Sequence, residues 1–107
     1  MAIQVMTTID AAARAEELAA VILEQRLAAC CQIIGPVTSM YWWQGKLDRA
    51  EEWLLVFKSS DELYPTLEQA IRARHPYECP EILATEVKHG FQGYLDWLAG
   101  NVRKADD

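Results

Sequence analysis

The sequence predicts an α+β domain: a ferredoxin-like βαββαβ order with one more helix at the C-terminal end. Three observations carry this prediction. Runs of β-branched residues alternate with apolar stripes at helical spacing. The middle two extended runs are joined by only two residues, whereas the outer ones are joined to them through helices. A chain of 107 residues holds one domain, taken as residues 1–107, with no internal linker or repeat. Right-handed crossovers then put both long helices on one face of a four-stranded antiparallel sheet.

Ile3 to Ile9 reads as the first strand, and Asp10 is placed to cap a helix running to about Ala28. Ala11, Ala15, Leu18 and Ile22 form that helix's buried stripe, widened by Ala19, Leu23 and Leu27. Cys31 to Trp43 is the second strand, interrupted at Gly35-Pro36, where a bulge is expected. Gln44-Gly45 makes a tight turn and Lys46 to Ser59 the third strand. Ser59 and Glu62 match a capping box for a second helix that reaches about Arg74, with Pro65 tolerated in its first turn. Its stripe is Leu63, Leu67, Ala70 and Ile71. Glu81 to Lys88 is the fourth strand, and Phe91 to about Asn101 the last helix, with Phe91, Tyr94, Leu95 and Leu98 as its stripe.

The central hairpin is the unusual element. Its arms of about thirteen residues far exceed the usual five or six. A loop at Gln44-Gly45 pairs Trp43 with Lys46, Tyr41 with Asp48 and Val37 with Glu52, and on the other face Trp42 with Leu47. Aromatic residues therefore sit on both faces of the tip. An amphipathic sheet standing alone has one clean apolar face. The mixture is expected of a hairpin that overhangs its own domain and docks on a neighbour.

Composition narrows the function. Sixteen acidic against ten basic residues give a net charge of −6, a poor balance for binding a phosphate backbone, so no nucleic-acid partner is expected. No apolar run reaches the roughly 20 residues that span a bilayer, and Met1 to Gln4 lacks the basic residue of a secretory leader. No membrane partner is expected, and the expected location is the cytoplasm. Three cysteines, two of them adjacent, do not make a disulfide framework. Hydrophobic residues are 51% of the chain, four of them Trp, which is a large apolar load for so small an interior. Either the core is dense or a partner covers part of it.

No glycine-rich phosphate loop, nucleophile elbow or zinc-protease helix occurs. The residues left for chemistry gather around His75. Cys30, Cys31, Cys79, His75 and His89 are the soft or borderline metal ligands. Adjacent Cys30 and Cys31 point to opposite faces of a strand and do not chelate one ion together. Pro76 and Pro80 remove helical spacing between His75 and Cys79, so a site shared between subunits stays open. Lys46, Glu52 and Lys58 have the same strand parity, and with His75, Tyr77 and Glu81 they are candidates for a polar cleft that binds an anion or moves a proton. Cys30 is placed at the end of the first helix, where the dipole opposes a thiolate, so it is disfavoured as an enzyme nucleophile.

Taken together, these segments resemble the CutA divalent-cation tolerance family. The matching residues are Leu27-Ala28-Ala29-Cys30; Ser39, Tyr41, Trp43 and Gly45-Lys46; Glu52; Lys58-Ser59; His75-Pro76-Tyr77 with Pro80-Glu81-Ile82; and Tyr94-Leu95 with Trp97. They span nearly the whole chain in order. The resemblance implies a PII-like homotrimer whose long hairpins pack on neighbouring subunits, with clefts between subunits. It also implies a non-enzymatic role in tolerance of copper and other divalent cations, with no required cofactor. Family members proposed to bind copper use a Cys in the first strand and a His-His pair before Pro-Tyr, positions that read Thr7, Arg74 and His75 here. The candidate metal residues are then His75 and Cys30. Those for the cleft are Tyr41, Trp43, Lys46, Glu52, Lys58, Tyr77 and Glu81. The competing reading is a PII-like signalling module that binds a small anionic metabolite in the same cleft.

Overall fold

The computed structural model describes residues 1–106. Strand β1 (Ala2–Ile9) leads into α1 (Ala12–Glu24), then come β2 (Cys30–Trp43) and β3 (Lys46–Ser60). A 3-10 turn at Asp61–Leu63 precedes α2 (Tyr64–Arg74), followed by β4 (Ile82–Glu86) and α3 (Gln92–Gly100). The strands form one sheet in the order β2-β3-β1-β4, every neighbour antiparallel. This is the predicted βαββαβ sheet with its extra helix.

Parity decides what the sheet buries. In β1 the odd residues Ile3, Val5, Thr7 and Ile9 are buried and the even ones only half so. Their β3 partners Leu55, Phe57 and Ser59 are buried on the same side. Ala15, Leu18, Ala19 and Ile22 of α1 and Leu67 and Ile71 of α2 close over that side in one cluster. Each large apolar side chain removed from water there contributes about 1.5–3 kcal/mol. Thr7 has no hydrogen-bond partner for its buried hydroxyl among the described residues.

Several boundaries differ from expectation. Helix α1 stops at Glu24, because Arg26 takes a left-handed φ of 59° and turns the chain toward β2. Leu27 and Ala28 are buried all the same, from the loop rather than from a helix. Asp10 does not cap α1: Ala11 is the N-cap residue, without a side-chain bond, and Asp10 accepts from Arg14 at 3.3 Å instead. Ser59 forms no capping box. It ends in the sheet, where its hydroxyl donates to the Leu27 carbonyl at 2.6 Å and pins the loop after α1 to β3. In α3 only Leu98 is buried, while Phe91 and Tyr94 of the expected stripe stay exposed.

The hairpin has the expected register, Trp43 with Lys46 through Val37 with Glu52. The register then shifts by one between Val37 and Ile34, so that Gly35 and Pro36 together face Trp53. This is the bulge that Gly-Pro announced, and it has a steric cause. A Cβ on Gly35 would drive into the Trp53 indole. We expect Gly35→Ala to cost about 1–3 kcal/mol of unfolding free energy by overpacking against that ring. Denaturant unfolding of the variant measures it, and an unchanged midpoint contradicts the close packing.

Candidate functional site

The polar residues that the fold collects lie at the root of the hairpin, beside the C-terminal end of α2. The chain leaves α2 in extended conformation at His75, with Pro76 preventing a further helical turn. The ring of His75 is buried. Its Nδ1 accepts the Tyr77 backbone N–H at 3.1 Å, so Nδ1 carries no proton. The proton is then on Nε2, which donates to the Thr8 carbonyl of β1 at 2.8 Å. Burial is the main influence on this ring and holds its pKa below the ordinary 6.5, against the opposing pull of the Thr8 carbonyl, Asp10 and Glu52.

Tyr77 stacks obliquely on His75, with ring centroids 4.7 Å apart, and its hydroxyl donates to Glu52 Oε2 at 2.6 Å. Glu52 is only 6% exposed, in the middle of β3, so the phenol is what satisfies a carboxylate withdrawn from water. Burial and then the Glu52 contact push the Tyr77 phenol far above its ordinary value of 10. Tyr41, further toward the tip, is raised as well, by loss of water and then by Asp48 and Glu52. The chain Thr8–His75–Tyr77–Glu52 thus links β1, the loop after α2 and the base of the hairpin.

Of the residues singled out in the sequence, the structure brings His75, Tyr77 and Glu52 into contact. Tyr41 lies near enough to act on Tyr77 and to feel Glu52, whereas Trp43, Lys46, Lys58 and Glu81 stand apart. Lys46 pairs with Trp43 at the exposed hairpin tip, and Glu81 is exposed just before β4. Lys58 lies six residues beyond Glu52 and donates to the Gln32 side chain. Shared parity puts the two lysines and Glu52 on one face but leaves about 20 Å of strand between successive members.

Cys30 belongs to a second cluster. It opens β2 rather than ending α1, so the helix dipole does not bear on it. Its sulfur lies 3.3 Å from the Tyr94 hydroxyl of α3, a hydrogen bond that raises the Tyr94 phenol. The spacing of Tyr94 predicts a buried stripe, and nothing in it points to Cys30. Cys31 faces the other way, against the core, where burial pushes its thiol up to about 12. Cys30 pairs across to Lys58, which pairs to Gln4, four residues from the Thr8 that holds His75. Cys30 and His75 of one chain are therefore separated by at least roughly 13 Å along the sheet. Both nitrogens of His75 are engaged, and the described residues contain no cluster of three metal-ligating side chains.

The family model of the CutA1 divalent ion tolerance protein matches residues 3–101. The chain belongs to the CutA1 divalent ion tolerance family. Among CutA relatives, the Divalent-cation tolerance protein CutA of Thermus thermophilus is 39% identical over 97 residues, covering 91% of this chain and 94% of its own. Its counterpart from Citrobacter koseri is 36% identical over 102 residues, covering 95% of this chain and 89% of its own. The solved Thermus thermophilus structure superposes with a TM-score of 0.94 at 38% identity, covering 96% of this chain and 100% of that one. CutA1 from Oryza sativa has the same TM-score at 35% identity, covering 96% and 94%. The chain thus shares the fold of these CutA structures along nearly its whole length.

If Tyr77 satisfies the buried Glu52, Tyr77→Phe is expected to cost about 2 kcal/mol, the usual loss for a bond to a charged group. Urea unfolding of the two proteins tests this, and equal stability contradicts it.

Proposed function

We propose that this chain serves divalent-cation tolerance as a non-enzymatic homotrimer, and that its cation is held where copies meet. The observation that carries this reading is the uncovered face of the sheet. Helices α1 and α2 cover the odd side of β1 and β3. The even side bears Ile34 beside Leu54 and the adjoining Val56, Met6 and Leu83, set among Gln4, Thr8, Gln32, Lys58 and Thr85. Ile34 is 50% and Leu83 57% exposed. An antiparallel sheet that faces water alternates to polar residues on that side. This one keeps an apolar patch among its polar residues, and Tyr41 and Trp43 of the hairpin tip lie on the same side. Large exposed patches of this kind mark association sites.

Family membership supports the cation, and the separation of Cys30 from His75 within one chain supports a site between copies. Cys30 stands at the rim of the open face with a sulfur suited to copper. His75 becomes a ligand only by giving up Thr8 or Tyr77, an exchange that docking of a second copy can drive. The three cysteines are free, which fits a reducing compartment such as the cytoplasm. Among the described residues no helix is long and apolar enough to cross a membrane.

Sedimentation at micromolar concentration is expected to give three chains per particle, and a stable monomer overturns the assembly. Calorimetry with copper is expected to show binding that is weakened in Cys30→Ser and in His75→Ala. Equal binding in both variants overturns these residues as the site. A melting temperature raised by an anionic metabolite, with copper inert, overturns the cation reading itself.

A further inference from the structure

One cavity contains none of the residues of the hairpin root or of the exposed sheet patch. It measures about 610 Å³ and lies between the start of β1, the end of β4, α3 and the tail that follows α3. Volumes of this size hold small organic ligands. Val87, Leu95, Leu98 and Val102 give it an apolar lining. The Val87 amide donates to the Ala2 carbonyl at 3.0 Å, which ties the two strand-side walls together.

The polar part of the wall is Arg103. Its backbone N–H donates to the Arg26 carbonyl at 2.8 Å, so the tail after α3 is fixed against the loop after α1. This holds Arg103 half-buried on the wall of the cavity. Its side-chain Nε is buried and has no hydrogen-bond partner among the described residues. A guanidinium N–H withdrawn from water without an acceptor is costly, and an acceptor oxygen in the cavity removes that cost. The acids at the rim are engaged elsewhere. Glu62 pairs with the Met1 amine at 3.7 Å, and Asp96 accepts from the Gln92 side chain at 2.8 Å. Lys104 adds a second positive charge to the same wall. In a chain of net charge −6, this cavity therefore joins a cationic end to an apolar body.

We propose that this cavity binds a small monocarboxylate with an apolar body. Its carboxylate sits on Arg103 and its hydrocarbon part lies along Val87, Leu95, Leu98 and Val102. The planar guanidinium matches a carboxylate in shape and charge. A phosphate ester brings a second negative charge to a rim that already carries Glu62 and Asp96, so it suits the site less. A neutral amphiphile leaves the Arg103 charge unmatched. The site does not depend on the cation reading. Ala2 stands six residues from the Thr8 that holds His75, about 20 Å away along β1.

The test is a titration of the whole chain, in its native assembly, with octanoate. Calorimetry measures the affinity, and amide shifts in NMR spectra of the nitrogen-15-labelled protein locate the ligand. Saturable binding is expected, with the largest shifts at Ala2, Val87, Leu95 and Leu98. Acetate, octanamide and octyl phosphate are each expected to bind at least about tenfold more weakly, and Arg103→Gln to weaken octanoate by at least about the same factor. Absence of saturable binding, shifts confined to other residues, or octyl phosphate or octanamide binding as tightly as octanoate overturns the proposal. So does equal affinity in a folded Arg103→Gln variant. The shift map uses the unaltered protein, so it decides the matter even if that variant does not fold. Copper titrated into the octanoate-loaded sample reports on the cation reading separately.

Discussion

Sheet and helices in this chain do not match in number of faces. Helices α1 and α2 cover one side of four strands, and on the other side α3 meets the end near Cys30 while Ile34 and Leu83 stay exposed. Water is a poor neighbour for those side chains. At about 25 cal/mol per Å² of apolar surface, the drive toward association is large compared with the marginal stability of a small domain. The length of the hairpin follows from the same constraint. A hairpin of ordinary length would end with the sheet, whereas this one carries exposed aromatic side chains past it.

A projecting hairpin needs a firm root, and the polar residues provide it. Glu52 is the buried position of β3 nearest the tip, and it is tied through Tyr77 and His75 to Thr8 of β1. On the opposite strand the Gly35-Pro36 bulge lets Trp53 close against the backbone at the same level. One polar and one aromatic contact thus fix the direction in which the tip points. The residues that look most like a catalytic set are in this view positioning residues for an assembly device. The membership of the chain in a family named for divalent ion tolerance agrees with a binding role.

Much of this is legible in the residues. Period-two and period-3.6 patterns place β1, β3, α1 and α2, because the core is built from one face of each, whereas the stripe read for α3 stays largely exposed. The hairpin register is readable from two residues, Gln44-Gly45, since a two-residue loop leaves only one pairing. Capping is not readable. Asp10 and Ser59 are good cap residues by type, but Arg14 and the Leu27 carbonyl offer them better partners in the folded chain. The end of α1 is hidden because Leu27 and Ala28 continue its apolar stripe while a left-handed Arg26 breaks the backbone, and arginine gives no signal of that. In the candidate site, two prolines single out His75, Tyr77 and Glu81, and strand parity adds Glu52; the fold joins His75, Tyr77 and Glu52 and leaves Glu81 exposed. Lys46 and Lys58 do not belong with them, since parity reports a face but not a distance along it. The pairing of Tyr94 is invisible for the opposite reason. Its partner Cys30 is 64 residues away, and only the tertiary fold joins them.

The central claim is that the open sheet face and the hairpin tip are covered by further copies. Small-angle X-ray scattering at low micromolar concentration tests it most directly. One chain has a radius of gyration of 14.4 Å, already above the roughly 13 Å of a compact domain this size because the hairpin projects. A compact particle of three chains is expected near about 20 Å, with a scattering mass of three chains. A value that stays at 14.4 Å on dilution and on concentration contradicts the account.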